Sequence, residues 1–216
     1  NYTVNAGNRQ LAFSGLPFAA REVKNLAATV SNTTKLLDND FSPATIIPRL
    51  NEYNIVHLAT HAAFLTGSPE DSFILFGNGE FVTLRDVETW SLSNVDLVVL
   101  SACETGVGGK LGNGEEILGF GYQMQLAGAL ASISSLWAVS DGGTQALMDG
   151  FYLALKTGNI TKAEALRRAQ IALITGNYQP STKQQRLIIQ PATPSNMMQL
   201  LTHPYYWAPF ILIGNS

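Results

Sequence analysis

The stretch that most constrains the fold is residues 96–110, DLVVLSACETGVGGK. Four apolar residues, Leu97–Leu100, lead directly into a turn of small residues that contains Cys103, the single cysteine of the chain. A short apolar run bounded by turn residues is typical of a strand buried on both faces, and parallel sheets hold their ligand sites beyond the carboxyl ends of strands. The pattern therefore predicts Cys103 at the functional edge of a sheet, although a lone cysteine is about as often a buried small apolar residue.

The rest of the chain alternates between predicted strands and predicted helices. Further buried strands are predicted at residues 54–60, 129–137 and 210–213, and helices at 18–30, 115–127, 141–156 and from 161 to about 176. Gly77-Asn78-Gly79 separates two short apolar runs and predicts a β-hairpin. We therefore expect one α/β domain over residues 1–216, with a mainly parallel sheet, and an irregular N-terminal segment at 1–14 apart from a short strand candidate at 11–13.

Composition excludes several classes of function. Charged residues make up 13% of the chain, against roughly 25% in ordinary globular proteins, so much of it is expected to be interior. A net charge of −3 offers no basic field for nucleic acid or acidic membranes, and no apolar run is long enough to span a bilayer. A single cysteine excludes an internal disulfide and fits a reducing compartment, so we expect a cytoplasmic location.

Neither a metal-binding cluster nor a nucleotide motif is evident in the sequence. The glycines between 106 and 114 do not form a GxGxxG fingerprint between strand and helix, and no P-loop is present, so no metal and no cofactor are expected. The chain begins with Asn1 rather than Met, and we expect it to be a piece of a longer protein.

Two of the strong predicted strands end in reactive side chains. The strand NIVHLAT leads into His61, and the strand DLVVL leads into Cys103. If these strands are neighbours in a parallel sheet, both side chains emerge at the same edge, where an imidazole can act as base or acid for a thiol nucleophile. His57 lies inside its strand and is expected to be a core residue, and His203 precedes a proline and is expected to pack or face solvent.

Five ordered motifs resemble those of CHAT domains, which are caspase-like modules commonly fused to tetratricopeptide repeats. The motifs are HLATH at 57–61, SACETG at 101–106, GEEILG at 114–119, SLW at 135–137 and HPYYWAPF at 203–210. The resemblance covers about residues 15–214. It implies a caspase-like three-layer sandwich, with a mainly parallel central sheet flanked by helices.

The resemblance also implies a cysteine endopeptidase of the caspase and separase kind. His61 would be general base and acid, and Cys103 the nucleophile that forms a thioester. The backbone amides of Cys103, Ala62 and Ala63 would hold the oxyanion. Caspases carry Gly directly after the catalytic histidine where this chain has Ala62, which keeps its amide.

The resemblance further implies a substrate pocket and partners. Ser135, Trp137 and Asp141 would help to form the primary pocket, where Asp141 could pair with a substrate Arg or Lys; the alternative is that Asp141 caps its helix. Glu104 is either a substrate contact or a fixture of its loop. The expected partners are a protein or peptide substrate and a tetratricopeptide-repeat or other regulatory region, without nucleic acid or membrane.

Two other functions remain open at this point. One is a catalytically silent caspase-like module that binds partners or scaffolds an assembly, and the other is an acyltransferase that uses the same thiolate. The intact His61–Cys103 pair favours the peptidase, because a silent module has no chemical reason to keep both residues.

Overall fold

The computed structural model describes residues 2–6, 9–64, 72–101, 104–105, 115–137, 141–178 and 200–215. Its contacts group the chain into two compact units. The first comprises residues 1–16, 36–138 and 211–215, and the second comprises residues 17–35 and 139–210 together with Ser216. The expectation of one domain over the whole chain stays a prediction.

The described residues form strands and helices in a mixed α/β order. The strands are β1 (Tyr2–Ala6), β2 (Arg9–Phe13), β3 (Ile55–Leu58), β4 (Ala62–Phe64), β5 (Phe73–Leu75), β6 (Phe81–Thr83), β7 (Leu97–Leu100), β8 (Glu104–Thr105), β9 (Ala131–Ser135) and β10 (Phe210–Gly214). The α-helices are α1 (Ala19–Thr29), α2 (Pro43–Ile46), α3 (Glu115–Leu126), α4 (Asp141–Leu155) and α5 (Lys162–Ile174). Short 3₁₀ turns lie at Asp38–Asp40, Ile47–Glu52, Asp86–Thr89 and Pro204–Tyr206.

The central sheet of the first unit has the strand order β10-β9-β7-β3. β3 pairs with β7 and β7 pairs with β9, both in parallel, which confirms a mainly parallel sheet. Every residue of β7 is fully buried, as the continuous apolar run predicted. Phe120 and Met124 of α3 join Val98 and Leu100 in one apolar core, so the helix that follows the cysteine loop covers this sheet.

A second four-stranded sheet in the same unit has the order β6-β5-β4-β8. β4 and β6 each pair antiparallel with β5, and β8 pairs parallel with β4. The predicted hairpin at Gly77-Asn78-Gly79 is therefore confirmed as β5 and β6. Gly79 supplies the positive φ of +88° that its turn requires and that a side chain rarely adopts.

The N-terminal segment is more regular than expected over residues 1–14: the strand candidate at 11–13 falls within β2, whereas β1 was not predicted. β1 and β2 form an antiparallel hairpin, called the N-terminal hairpin below, in which Val4 lies opposite Leu11. Val4, Leu11 and Phe13 are buried, whereas Thr3, Asn5, Gln10 and Ala12 are exposed. This alternation of period two buries one face of the hairpin against Ala63, Phe73 and Leu75, which explains why the segment is ordered.

The second unit contains helices α1, α4 and α5. Helices α1 and α5 each pack against α4, and Gly150 allows a close approach, because an added Cβ would lie 3.3 Å from the Cβ of Ala169. The buried carboxylate of Asp149 in α4 accepts hydrogen bonds from Asn25, Gln145 and Tyr178. Among the helices that are described, none combines the length and the apolar character needed to cross a membrane.

Candidate active site

The backbone around His61 is fixed between the two sheets of the first unit. β3 ends at Leu58 and β4 begins at Ala62, so His61 lies in the short connection between them. The Thr60 hydroxyl donates to the Leu75 carbonyl, and the Leu75 amide donates to the His61 carbonyl over 2.9 Å. These two bonds attach the connection to β5, so the imidazole starts from a defined main-chain position.

The imidazole of His61 is held by the end of the N-terminal hairpin. Its Nε2 atom lies 2.6 Å from the backbone carbonyl oxygen of Ser14, and the Phe13 ring centroid lies 5.0 Å from the imidazole centroid at an interplanar angle of 46°. A carbonyl oxygen can only accept, so Nε2 must carry the proton in this contact. In neutral His61 the basic lone pair is therefore on Nδ1.

Cys103 lies outside the described residues, so its predicted place opposite His61 stays a prediction. The described chain on both sides of it is paired with the segment that carries His61. Before it, the Ser101 amide donates to the Leu58 carbonyl over 3.0 Å. After it, Glu104 in β8 lies in register with Ala63 in β4. The strands that precede the two residues in sequence, β3 and β7, are direct neighbours, which meets the condition set out in the sequence analysis.

The comparison with protein families decides the identity of this chain. The family model described as the CHAT domain matches residues 3–215, which is nearly the whole sequence. The chain belongs to the CHAT domain family. This family is related to the caspase-like cysteine peptidases, and the resemblance of the five sequence motifs is confirmed. No curated protein sequence matches the chain.

The amides expected to hold an oxyanion in this CHAT domain belong to buried residues. Ala62 and Ala63 are both fully buried in β4, which lies between β5 and β8. Ala62 is opposite Ile74 and Ala63 is opposite Phe73 on the β5 side. The donor role of these amides and of the Cys103 amide stays a prediction.

The predicted pocket residues of the CHAT domain have different locations in the fold. Ser135 is buried at the end of β9, and Trp137 is half-buried two residues later. Asp141 is the first residue of α4, and Glu104 lies in β8, but the side chains of both are outside the described part of the chain. The helix position of Asp141 leaves both its capping role and its substrate role open.

His57 and His203 have no described contact with the His61 imidazole. His57 lies within β3 opposite Val99, and the Nδ1 atom of His203 accepts from the Tyr205 amide at the start of a 3₁₀ turn. In the described ranges, no three His, Asp or Glu side chains are placed to hold a metal ion.

Sequence reasoning missed Phe13 and Ser14, which contact His61. Gly7-Asn8 between short apolar alternations is a hairpin signal and could have indicated β1 and β2. No signal in the sequence could have indicated Ser14, because it acts through a carbonyl that every residue has.

Proposed function

We propose that this CHAT domain is a cysteine endopeptidase of the caspase and separase type, with a His61–Cys103 dyad in a caspase-like three-layer sandwich. The observation that carries the proposal is the contact between His61 Nε2 and the Ser14 carbonyl. It assigns the basic nitrogen to Nδ1 and leaves that atom for a thiol.

The Ser14 carbonyl also suits the charged form of His61. When Nδ1 takes a proton, Nε2 keeps its own, and the hydrogen bond to Ser14 becomes charge-assisted. The imidazolium is therefore stabilised without rotation of the ring. In this arrangement the carbonyl has the part that a carboxylate has in a Ser-His-Asp triad, at lower electrostatic strength.

The proposed reaction uses His61 as base and then as acid. Nδ1 accepts the Cys103 proton, and the thiolate attacks the scissile carbonyl. His61 then donates that proton to the leaving amine, so that a thioester and a free amine result. A water molecule, deprotonated by His61, hydrolyses the thioester. We assign the oxyanion to the Cys103 amide and to one amide of the Ala62–Ala63 stretch, because successive amides of a strand point to opposite edges. Each such donor is worth about 3 kcal/mol to the transition state.

The proposed substrate is a protein or peptide, and the proposed pocket comprises Ser135, Trp137, Asp141 and Glu104. Asp141 would pair with an Arg or Lys that precedes the cut. We propose regulation by a tetratricopeptide-repeat or other sensor region, and a cytoplasmic location. Support comes from membership in the CHAT family and from the single cysteine.

The test of this function is covalent labelling of the only thiol in the chain. The purified protein and its His61→Ala variant are incubated with peptide acyloxymethyl ketones ending in Arg, Leu or Asp, and intact mass measures the adduct. His57→Gln is the matched control, because it changes a histidine four residues away. We expect labelling of the parent and of His57→Gln, and its loss in His61→Ala.

Two outcomes would contradict the proposal. Labelling that is equally fast in His61→Ala would show that His61 does not activate the thiol. An absence of labelling with every peptide, in a protein that is folded and reacts with iodoacetamide, would favour the silent binding module.

A further inference from the structure

We propose that the N-terminal hairpin is a detachable positioning element for His61, and that displacing it switches the site off. The inference rests on the proposed function and adds the regulation of the same site. It concerns Phe13 and Ser14 as positioning residues, which act on the reaction only through His61. Three observations carry it: how the hairpin is attached, what it contacts, and what His61 loses without it.

The hairpin is attached to the rest of the first unit mainly through side chains. β1 and β2 form a two-stranded sheet of their own, and no strand pairing within the described residues joins it to either larger sheet. Val4, Leu11 and Phe13 pack on Ala63, Phe73 and Leu75, and the Tyr2 hydroxyl donates to the Gly77 carbonyl. An isolated two-stranded hairpin is marginally stable in water, so attachment and order of this element depend on one apolar face.

The same face places the hairpin against the imidazole. Phe13 is 1% exposed, contacts Phe73 edge-on at 5.9 Å between centroids and lies 5.0 Å from the His61 ring. The next residue, Ser14, is the acceptor for Nε2 at 2.6 Å. Loss of the apolar contacts therefore removes the ring neighbour and the hydrogen-bond acceptor of His61 together.

Without the hairpin, His61 has no defined tautomer. The main chain of His61 stays attached to β5 through Thr60 and Leu75, so the residue remains near its place. The imidazole is then free to rotate about its side-chain bonds, and its proton is shared between Nδ1 and Nε2. Only part of the population presents a basic Nδ1, and the imidazolium loses the carbonyl that stabilises it. A partner that competes for the face of Val4, Leu11 and Phe13 would act as an inhibitor.

The test compares two variants that each place one carboxylate on β1, one on its buried face and one on its exposed face. Val4→Asp puts a carboxylate on the buried face, whereas Thr3→Asp puts the same group on the exposed face of the same strand and is the matched control. Neither residue has a described contact with His61. Leu11→Ala removes fewer apolar contacts from the same buried face, and it replaces Val4→Asp in the test if that variant does not fold. Hydrogen exchange at Leu11 and Val98 shows whether the hairpin alone is released.

Two measurements report on the His61 imidazole and its proposed partner Cys103 rather than on the stability of the fold. Nitrogen NMR of the imidazoles reports the tautomer, with His61→Gln identifying the signals among three histidines. The pH dependence of iodoacetamide reaction reports the Cys103 thiolate. We expect a single Nε2–H tautomer in the parent and in Thr3→Asp. In Val4→Asp we expect a mixed tautomer and roughly tenfold slower alkylation near pH 6.5, because fewer thiols are ionised.

Each outcome decides one of the two claims. A released hairpin with an unchanged His61 tautomer would overturn the positioning role. If the tautomer changes but Cys103 alkylation has the same pH profile in the parent, Val4→Asp and His61→Ala, the hairpin does position His61 and the proposed dyad fails instead.

Discussion

A backbone group, rather than an acidic side chain, determines which nitrogen of His61 carries the proton. The Ser14 carbonyl accepts from Nε2 over 2.6 Å, and the Phe13 ring covers one side of the imidazole. In this arrangement the orientation of the imidazole depends on the backbone conformation that positions the Ser14 carbonyl. The sequence at position 14 is therefore free to vary, while the local conformation is not.

Cys103→Ala is expected to abolish cleavage and to leave the fold intact. The substitution removes the thiol proposed to form the acyl bond, and alanine suits the turn of small residues that the sequence predicts at position 103. Cleavage of a peptide library and thermal unfolding are measured on the same preparation. Retained cleavage in Cys103→Ala would refute the assignment of the nucleophile.

Asp141→Ala is expected to remove any preference for Arg or Lys before the cut. Asp141→Asn distinguishes the two roles that its position at the start of α4 allows. An amide still caps a helix N-terminus but cannot pair with a cation, so Asn should behave like Ala if the charge selects substrate. Cleavage profiles over a library with varied residues before the cut decide this, and identical profiles for all three proteins would assign Asp141 to capping alone.

At the scale of elements, continuous apolar runs predicted buried strands, whereas the pairing of β1 with β2 was missed although Gly7-Asn8 gives a hairpin signal. β7 is predicted by four consecutive apolar residues, and all four are fully buried. The burial of this face was missed because its three inward side chains, Val4, Leu11 and Phe13, are spread over ten residues. These side chains are buried by residues of β4 and β5, which are far away in sequence, so the local sequence pattern does not indicate what they pack against.

The start of α5 gives a pH-dependent prediction at this scale. The Thr161 hydroxyl accepts from the Glu164 amide, and the Glu164 carboxylate accepts from Arg167 and Arg168. The hydrogen bond with Arg167 and then that with Arg168 lower the pKa of Glu164 from 4.5 to about 2. Because the folded pKa is depressed, the carboxylate stabilises α5 above pH 4.5, and the contribution is lost as pH falls toward 2.

We therefore expect Glu164→Gln to lower the melting temperature slightly at pH 7, and we expect this difference to shrink as pH falls and to vanish only below pH 2. The group is exposed, so the effect is small and decreases further as salt is added. Calorimetry of both proteins across this pH range measures the difference. A difference that is unchanged between pH 7 and pH 2 would assign the effect to helix propensity rather than to charge.

At the scale of the whole molecule, membership in the CHAT family and the proposed dyad residues were predictable from ordered motifs, whereas the contact between Ser14 and His61 is seen only in the tertiary structure. HLATH and SACETG place His61 and Cys103 after neighbouring strands, and those strands are neighbours in the sheet. The hairpin that reaches His61 is 47 residues away in sequence. A contact between residues so far apart in sequence is identified only from the three-dimensional structure.

The stability of the second unit is expected to fall above pH 10 because two of its buried tyrosines, Tyr152 and Tyr178, stay protonated in the folded state. Burial and then Glu22 raise the pKa of Tyr152, and burial and then Asp149 raise the pKa of Tyr178. Unfolded tyrosine ionises near pH 10, so above that pH the unfolded state loses a proton that the folded state keeps. Each tyrosine then lowers the free energy of unfolding by about 1.4 kcal/mol per pH unit.

Denaturant unfolding between roughly pH 8 and pH 11, a range that brackets the pKa of unfolded tyrosine, measures how the free energy of unfolding depends on pH. Tyr178→Phe should reduce the slope by roughly half, because Tyr152 still contributes, and should lower stability at pH 8, because Asp149 loses a donor. An unchanged slope would place Tyr178 in contact with solvent.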